Sequence, residues 1–431
     1  MNVIGIRKED KNKWEKRTPL IPKHVGELIK EHNLKFIIQS SDLRAFSDNE
    51  YQKEGAIIQK DLDKADVIFA VKEIPPNLIS QKIYIFFSHV IKGQKYNMPM
   101  LKKIIDEKAT LIDYEKIVDS AGRRLIFFGN WAGLSGMNEI LWAYGQRMLK
   151  IEGIKTPFLN LKHTFEYEDI QEEKRYFKKL SNEIQRDGLE FPLICGFAGY
   201  GNVSKGAQAI YDILPVIEID PNDLKSFSEK GEFSKKHVYK VVFKEEHLVE
   251  PNDPDMKFDL QDYYKYGLEK YHSKFYEYLP YLTILVNAIF WSNKYPRLIK
   301  KEEFKPFVKE GNRLKLIGDI SIDIEGAIEG SLRSTKPDNP VITYDPFTDT
   351  ATNGFKKNGM PIVAIDNLPC ELPRESSSSF SSTLIKYVKD IAKADFSVKF
   401  NDLDLPSEIK NAIIVYQGNL TSNYTYLKEY L

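Results

Sequence analysis

Three ionisable side chains in the first third of the chain follow apolar, strand-like runs and could carry acid–base chemistry. Lys72 and Glu73 come directly after the run 67–71, and His89 lies two residues beyond the run 83–87. Open parallel sheets bind ligands at the carboxyl ends of their strands, so these side chains would meet at one edge. A buried lysine beside other cations has a lowered pKa, and histidine titrates near neutrality. The pattern predicts proton transfer, although a core histidine bonded to backbone is the ordinary alternative for His89.

Arginines at two places could bind a small anionic substrate. Arg17 stands shortly before a proline-started helix at Pro22, where a guanidinium can hold a carboxylate through two hydrogen bonds. Arg123 and Arg124 follow Gly122, and such a pair suits a substrate with more than one carboxylate. For each of them the alternative is a solvated charge in a loop.

A glycine-rich stretch in the middle of the chain predicts a dinucleotide-binding turn between a strand and a helix. Glycines let the backbone turn tightly and approach a pyrophosphate, whose charge is met by amides at the helix N-terminus. The third glycine of the G-x-G-x-x-G pattern is Ser204 here, and Gly206 arrives two positions late. Any parallel sheet needs sharp turns, which is the alternative explanation. The predicted cofactor-binding residues of this stretch are Gly196, Gly199, Tyr200, Gly201, Asn202 and Val203.

An acidic residue follows at the distance that a dinucleotide-binding fold requires. Asp220 ends an apolar run about twenty residues past Gly201, where such a fold places the carboxylate that accepts hydrogen bonds from the adenosine ribose. A carboxylate there repels a 2′-phosphate and therefore favours NAD over NADP. Asn287, at the end of the predicted strand 282–287, is a further predicted cofactor-binding residue.

Composition limits the class of protein. The 431 residues carry 62 basic and 62 acidic side chains, and a net charge of zero disfavours broad nucleic-acid binding. Two cysteines suit a reducing compartment and argue against a disulfide scaffold. The histidines have no close ligand spacing, so we expect no metal site. With neither an apolar leader nor a run long enough to cross a bilayer, the sequence predicts a cytoplasmic protein without a membrane partner.

Short apolar strands alternate with amphipathic helices over residues 1 to 130 and again over 191 to 325, which predicts parallel, doubly wound sheets. We expect an α/β protein of two Rossmann-like lobes with a cleft between them. The predicted boundaries are a substrate and catalytic domain, 1–131 plus 335–431, and a dinucleotide-binding domain, 132–334. Residues 244–280 are dense in charge and tyrosine, and the sequence assigns them no function beyond a surface elaboration.

Nine segments, spread over nearly the whole chain, carry a resemblance to a known family. They are Ile6–Asp10, Glu15–Pro22, Val71–Pro75, Phe87–Gln94, Asp113–Glu115, Gly122–Leu125, Gly196–Ala207, Gly318–Asp323 and Ala364–Glu375. In this order the chain resembles the lysine-forming saccharopine dehydrogenases, including lysine-ketoglutarate reductases. It is more distantly similar to alanine dehydrogenase and to the soluble part of nicotinamide nucleotide transhydrogenase.

The resemblance implies a reaction and roles for residues. The family forms saccharopine by reductive amination of 2-oxoglutarate with the ε-amine of lysine, or runs the reverse oxidation and hydrolysis. Lys72 would handle the proton of the secondary amine, and His89 would serve the water and carbinolamine steps. The implied substrate-binding and charge-tuning residues are Arg17, Lys92, Arg123, Arg124, Glu73 and Glu115.

The resemblance also extends the cofactor site. Asp323 ends the last strand of the predicted dinucleotide domain, and Asn367 with Leu368 matches a loop that lies near the nicotinamide in alanine dehydrogenases. Relatives of the bifunctional type are associated with NADP, so NADP remains the alternative to the NAD that Asp220 favours. The implied partners are small molecules (lysine, 2-oxoglutarate and saccharopine), and a homo-oligomer is compatible with the sequence.

Two other functions stay open. An enzyme of the alanine dehydrogenase type would use the same scaffold on ammonia and a small 2-oxo acid, but it leaves Lys92, Arg123 and Arg124 without an evident role. A transhydrogenase-like protein would bind NAD(P) without amine chemistry.

Overall fold

A computed structural model of the chain describes residues 1–74, 78–309 and 311–431. They form two compact units, the first from Met1–Phe128 with Pro373–Leu431 and the second from Gly129–Leu372. Each unit has its own eight-stranded, mostly parallel sheet. The prediction of two α/β units built on parallel sheets is confirmed.

The strands are numbered along the chain. Those of the first unit are β1 (Ile4–Ile6), β2 (Phe36–Gln39), β3 (Ile57–Gln59), β4 (Val67–Phe69), β5 (Ile83–Phe86) and β6 (Thr110–Asp113). Those of the second unit are β7 (Ile194–Ala198), β8 (Val216–Glu218), β9 (Val238–Phe243), β10 (Val249–Pro251), β11 (Tyr271–Ser273), β12 (Ile284–Asn287), β13 (Leu316–Asp319), β14 (Val341–Asp345), β15 (Thr350–Asn353) and β16 (Met360–Val363). The chain then returns to the first sheet with β17 (Ile413–Tyr416) and β18 (Asn419–Leu420).

The helices are numbered in the same way. They are α1 (Pro22–His32), α2 (Asp48–Lys53), α3 (Met98–Asp106), α4 (Gly129–Arg147), α5 (Ile170–Asp187), α6 (Asn202–Tyr211), α7 (Leu224–Lys230), α8 (Glu245–Leu248), α9 (Leu260–Tyr266), α10 (Pro373–Lys393) and α11 (Ser407–Lys410). Among the described residues, none of these helices combines the length and the apolar content that crossing a membrane would take.

The first sheet has the strand order β18-β17-β6-β5-β4-β1-β2-β3, with β1 to β6 parallel and the two C-terminal strands antiparallel. Its central strands read as continuous apolar runs because helices cover both faces of a parallel sheet, and β4 and β5 are buried throughout. β4, β5 and β6 are direct neighbours that run the same way. Their carboxyl ends therefore form one edge.

The second sheet has the order β15-β14-β16-β13-β12-β7-β9-β8. β7 pairs with β12 on one side and with β9 on the other, whereas β8 pairs with β9 and lies at the edge. The strand that follows β7 in sequence is thus not the strand that lies beside it. This order decides which acidic residue lies near the glycine-rich turn.

Helices α4 and α6 cross closely because glycines stand at the crossing. A Cβ added at Gly133 would overlap the Val203 carbonyl oxygen, and one at Gly206 would overlap the Asn130 carbonyl oxygen. Gly206, two positions late for the nucleotide pattern, thus has a packing role.

The predicted boundary at residue 335 is wrong for residues 335–372. β16 pairs with β13, β14 pairs with β16, and β15 pairs with β14, so all three strands extend the second sheet. The chain enters the first unit again only at Pro373, where α10 begins. The sequence hid this because an apolar strand followed by a helix reads alike in either sheet.

Candidate functional site

The carboxyl ends of β4, β5 and β6 bring Lys72, Glu73, His89 and Glu115 into one region of the first unit. The Glu73 Oε1 atom lies 2.6 Å from His89 Nδ1, and Glu115 Oε1 lies 3.9 Å from His89 Nε2. The imidazole therefore lies between two carboxylates. A cavity of about 500 Å³ in the same unit borders Glu73 and the exposed Tyr96.

His89 is held by its backbone as well as by Glu73. Its φ of +50° lies in the left-handed region, which costs a non-glycine residue free energy and occurs preferentially at functional sites. Asn97 Nδ2 donates to the His89 carbonyl oxygen at 3.2 Å, and the Phe87 ring stacks on the imidazole. The ring orientation is therefore set before any ligand arrives.

Glu73 is ionised in this setting. Burial alone would raise its pKa, but the hydrogen bond and charge of His89 and the charges of Lys11 and Lys72 outweigh it and lower the pKa well below its ordinary value. Lys11 Nζ lies 3.0 Å from Glu73 Oε2, opposite the oxygen that meets His89. An ionised Glu73 favours the imidazole tautomer that carries a proton on Nδ1, which leaves Nε2 as an acceptor.

Lys72 is half-buried, and within the described ranges its Nζ atom has no hydrogen-bond or ion-pair partner. Its pKa is lowered, first by burial and then by the charges of Arg17 and Lys11. The lowered pKa increases the fraction of neutral amine at any given pH. This is the state in which a lysine can accept a proton.

Glu9 and Asp113 are two buried carboxyls that sequence reasoning missed. Glu9 accepts hydrogen bonds from the backbone amides of Val71 (2.7 Å) and Lys72 (3.1 Å), and burial with the nearby Glu15 raises its pKa to about 7. Asp113 accepts from the Ser88 amide at 3.2 Å and from the Ser88 hydroxyl, and burial raises its pKa to about 6. Glu9 thereby ties Val71, the residue before Lys72, to the segment that follows β1. Asp113 ties Ser88, the residue before His89, to β6. Glu9 lies three residues beyond β1, which is adjacent to β4. Knowledge of the strand order would have indicated that Glu9 lies near Lys72.

Arg17 is buried and paired. Its Nε and one terminal nitrogen lie 2.8 Å and 2.6 Å from the two oxygens of Glu15, and its guanidinium lies 4.2 Å from the centroid of the Phe128 ring. The predicted carboxylate-binding residue therefore already holds a carboxylate of the chain itself. The structure links it to Lys72 through charge.

The other predicted substrate cations differ in position. Arg124 is half exposed, with one guanidinium nitrogen 3.4 Å from Glu115 Oε1, so it belongs to the His89 region. The Arg123 side chain is 80% exposed and pairs with Asp119 at 2.7 Å, within its own turn. Lys92 is exposed, and no described contact joins its side chain to this group. Pro75, the last residue of the Val71–Pro75 segment, lies outside the described residues.

The glycine-rich turn of the second unit is shaped to receive a ligand at the start of α6. Gly199 has a φ of +95°, which side-chain-bearing residues rarely adopt, and its amide donates to the Phe243 carbonyl oxygen at 2.9 Å. Gly201 precedes α6, and a Cβ added there would meet no atom within 4 Å. The first amides of α6, beginning with Asn202 and Val203, have no carbonyl partner inside the helix. This backbone fits a pyrophosphate.

Gly196, one of the predicted cofactor-binding residues, has a packing role. It lies inside β7, and a Cβ there would come within 2.6 Å of the Leu282 side chain and 2.9 Å of the Phe243 ring. Packing in the strand therefore explains this glycine.

Asp220 lies two strands away from β7, because it follows the edge strand β8. It is exposed, and its Oδ1 accepts hydrogen bonds from the amide and side chain of Asn222, both at 2.9 Å. A cavity of about 390 Å³ borders Gly199, Tyr200 and Gly201, and its acidic lining residue is Glu245.

The remaining predicted cofactor residues follow β12, β13 and β16. Asn287 Nδ2 donates to Asp319 Oδ1 at 2.8 Å, and Asp319 is buried with a pKa raised by burial to about 6. Asp323 is exposed in the loop after β13. Asn367 precedes a short 3₁₀ turn, while the Leu368 side chain is buried in the core of the second unit.

Comparison with known families identifies two domains. Residues 5–135 match the alanine dehydrogenase/PNT N-terminal domain, and residues 216–423 match the alanine dehydrogenase/PNT C-terminal domain. Two solved structures have the same fold. An L-alanine dehydrogenase gives a TM-score of 0.62 at 14% identity, covering 99% of this chain and 98% of that chain. A transhydrogenase from Sinorhizobium meliloti gives 0.57 at 14% identity, covering 97% and 100%.

Curated relatives are similar over nearly the whole chain. The alpha-aminoadipic semialdehyde synthase of Arabidopsis thaliana is 36% identical over 446 residues, covering 99% of this chain and 41% of that protein. The mitochondrial enzyme of that name from Rattus norvegicus is 35% identical over 447 residues, covering 99% and 48%. The chain thus spans less than half the length of these two relatives.

A shorter relative matches over most of its own length. The NAD(+), L-lysine-forming saccharopine dehydrogenase of Emericella nidulans is 26% identical over 405 residues, covering 89% of this chain and 90% of that protein. The resemblance to saccharopine dehydrogenases is thereby confirmed. Because both domain models of one family match in order, and the fold agrees with two of its solved structures, the chain belongs to the alanine dehydrogenase/PNT family.

Proposed function

We propose that the chain is a lysine-forming saccharopine dehydrogenase, or lysine-ketoglutarate reductase. In one direction the ε-amine of L-lysine condenses with the ketone of 2-oxoglutarate, water leaves, and a hydride and a proton reduce the resulting imine to saccharopine. In the other direction saccharopine is oxidised and hydrolysed to the two starting compounds. The observation that carries the proposal is the group of Lys72, Glu73, His89 and Glu115 at the ends of three adjacent strands. The proposal is supported by the similarity to a protein named as an L-lysine-forming saccharopine dehydrogenase.

Lys72 is the proposed proton acceptor at the secondary amine nitrogen. Its pKa is lowered by burial, Arg17 and Lys11, which favours the neutral amine that can accept a proton. In the synthetic direction the same group returns that proton to the nitrogen.

His89 is the proposed acid–base group at oxygen. Its Nδ1 is engaged by the ionised Glu73, and its Nε2 can take a proton from water and give one to the carbinolamine hydroxyl that leaves. An amination with loss of water needs one acid–base group at nitrogen and another at oxygen. Lys72 and His89 are the two proposed groups.

Substrate carboxylates require cations near this group. Arg124 and Lys11 are the proposed ligands with the best placement, because each is partly exposed and each pairs with a carboxylate that contacts His89. Arg123 and Lys92 remain proposed ligands that are less well placed than Arg124 and Lys11. Arg17 is proposed as a buried charge that lowers the Lys72 pKa, with Glu15 as its permanent partner.

A nicotinamide dinucleotide is the proposed cofactor. The amides at the start of α6, with Gly199 and Gly201, would hold its pyrophosphate, and Asn287, Asp323 and Asn367 remain proposed contacts. When bound, the dinucleotide supplies or accepts the hydride. The cytoplasm is the proposed location, because two cysteines in 431 residues suit a reducing compartment.

The test is the amine and oxo-acid dependence of dinucleotide oxidation by the purified chain. NADH and NADPH are each offered with 2-oxoglutarate plus lysine, 2-oxoglutarate plus ammonia, pyruvate plus ammonia, and 2-oxoglutarate alone. We expect turnover only with lysine and 2-oxoglutarate, with saccharopine identified by mass spectrometry. Turnover with pyruvate and ammonia would instead indicate an alanine dehydrogenase type of enzyme, and binding without turnover a non-catalytic protein.

A further inference from the structure

We propose that Glu245, and not Asp220, is the carboxylate that binds the adenosine ribose and selects NAD(H) over NADP(H). The tyrosine-rich segment 244–280 then has a function, because it supplies Glu245 and part of the wall around the adenosine. This inference rests on the dinucleotide binding that the proposed function requires. It concerns residues of the second unit only.

Strand order is the first argument. A ribose-binding carboxylate stands at the end of the strand that lies beside the glycine-turn strand. In this sheet β7 has two neighbours. β12 ends in the amide residue Asn287, whereas β9 leads into an acidic residue. The register of β9 pairs Ala198 with Phe243, and the Gly199 amide is bonded to the Phe243 carbonyl. Glu245 follows Phe243 by two residues. Asp220 follows β8, with β9 in between.

The cavity is the second argument. Its volume of about 390 Å³ falls in the range of small-molecule sites, and its lining joins the glycine turn to the tyrosine-rich segment. Glu245 borders it together with Gly199, Tyr200, Gly201, Tyr264 and Phe290. Asp220 does not line this cavity.

The aromatic residues are the third argument. Tyr200 is 42%, Tyr264 41% and Phe290 75% exposed, although large aromatic side chains are usually buried. Three exposed rings around one cavity beside a phosphate-binding turn suit a flat heteroaromatic ring, which is what adenine presents. Solvated rings at such a position gain by being covered.

Tyr264 positions the carboxylate. Its hydroxyl donates to Glu245 Oε1 at 2.7 Å, and the Tyr200 side chain hydrogen-bonds the same carboxylate. A carboxylate has about four lone-pair sites, so acceptor sites remain for a ribose hydroxyl. A 2′-phosphate has no hydrogen to donate and would bring its negative charge against Glu245. The same carboxylate therefore attracts NADH and rejects NADPH.

Direct binding tests this inference without relying on catalysis. Dissociation constants of NADH and NADPH are measured by fluorescence titration for the wild-type chain and for Glu245→Gln, Asp220→Asn, Tyr264→Phe and Glu246→Gln. Glu246→Gln is the matched control, because Glu246 is the adjacent, more exposed glutamate and does not line the cavity. Lysine-dependent turnover is measured on the same preparations.

We expect the wild type to prefer NADH by about tenfold or more, and Glu245→Gln to weaken NADH binding by about tenfold to a hundredfold while NADPH binding holds or improves. Tyr264→Phe should show a smaller loss of the same kind, and Asp220→Asn and Glu246→Gln should stay within about twofold. A loss confined to Asp220→Asn, or a wild-type preference for NADPH, would overturn the inference while leaving lysine-dependent turnover intact. Selective binding through Glu245 without turnover would overturn the proposed reaction alone, and binding of neither dinucleotide would overturn both.

Discussion

The two candidate sites are built from different kinds of chemical group. In the first unit, the site consists of charged side chains that hold one another, with Glu73 between His89 and Lys11 and with Glu9 securing the backbone of Lys72. In the second unit, it consists of backbone amides and missing side chains, at Gly199 and Gly201. A charge network fails when one charge is removed, whereas a backbone cradle fails when one atom is added. Removing a charged side chain should therefore disrupt the site of the first unit, and adding a side-chain atom should disrupt the site of the second unit.

The largest expected effect is on catalysis in the first unit. Lys72→Met removes the proposed proton acceptor and should lower lysine-dependent turnover by about 10²- to 10⁴-fold. NADH affinity should stay within about twofold, because the cradle lies in the second unit. Steady-state kinetics and fluorescence titration on one preparation measure both quantities.

Lys64→Met is the matched control for that variant, since Lys64 is exposed and precedes the amino end of β4, away from the edge that carries Lys72. It should retain turnover within about twofold. Lys72→Met with turnover within threefold of the control would assign the proton to another group.

The next effect contrasts two glycines of the second unit. Gly206→Ala places a methyl group against the Asn130 carbonyl oxygen at the crossing of α4 and α6, and should destabilise the fold by about 3 kcal/mol. Gly201→Ala adds the same atom in open space at an ordinary φ of −74°, and should change stability by less than about 0.5 kcal/mol. Urea unfolding followed by circular dichroism measures the difference.

Dinucleotide binding should show the reverse order at 25 °C. Gly201→Ala fills the approach to the first amides of α6 and should weaken NADH binding, while folded Gly206→Ala should bind nearly as the wild type does. Equal losses of stability in the two variants would contradict the packing role assigned to Gly206.

The same contrast explains what the sequence could predict. The predicted runs 67–71, 83–87 and 282–287 contain β4, β5 and β12, because buried parallel strands read as apolar runs. Residues that end runs of one parallel sheet had to lie at one edge of it. The strand ends and the resemblance together named Lys72 and His89 and also Glu73 and Glu115, the two carboxylates beside His89. Lys11 and Glu9 were missed because the strand before them lies far from β4 in sequence and beside it in space.

Strand order was the information that local sequence lacked. Asp220 was predicted from its distance of about twenty residues past Gly201, a spacing that fits a sheet in which the next strand in sequence lies beside the glycine-turn strand. Here β9 lies beside β7, and β8 lies beyond β9. The stretch 341–363 was assigned to the first sheet, whereas it extends the second. The sequences of its three short strands do not indicate which of the two sheets they join. Arg17 was predicted to bind a substrate carboxylate, with a solvated loop charge as the alternative, because its burial with Glu15 depends on tertiary packing around Phe128.

The smallest expected effect is a shift in pH dependence, which tests whether charge alone links Lys11 to Lys72. Lys11 is also a proposed substrate ligand, so the pH of the limb is compared and not the height of kcat/KM. Lys11 lowers the Lys72 pKa through its charge, so Lys11→Met should raise that pKa. The proposed oxidation of saccharopine needs Lys72 in its neutral form, which gives way to the charged form below its pKa. A higher pKa should therefore move the acidic limb of kcat/KM to higher pH. The Lys11 side chain is 41% exposed, and screening by solvent limits the shift to a few tenths of a pH unit.

Salt separates this electrostatic effect from a structural one. Raising the ionic strength from about 0.05 M to about 0.5 M shortens the screening length and should bring the wild-type limb toward that of Lys11→Met, because the variant has no charge at this position left to screen. Lys8→Met, an exposed lysine three residues earlier, should leave the limb where it is at either salt concentration. A limb that moves downward, or a shift that salt leaves unchanged, would show that Lys11 acts by holding Glu73 in place and not by its charge on Lys72.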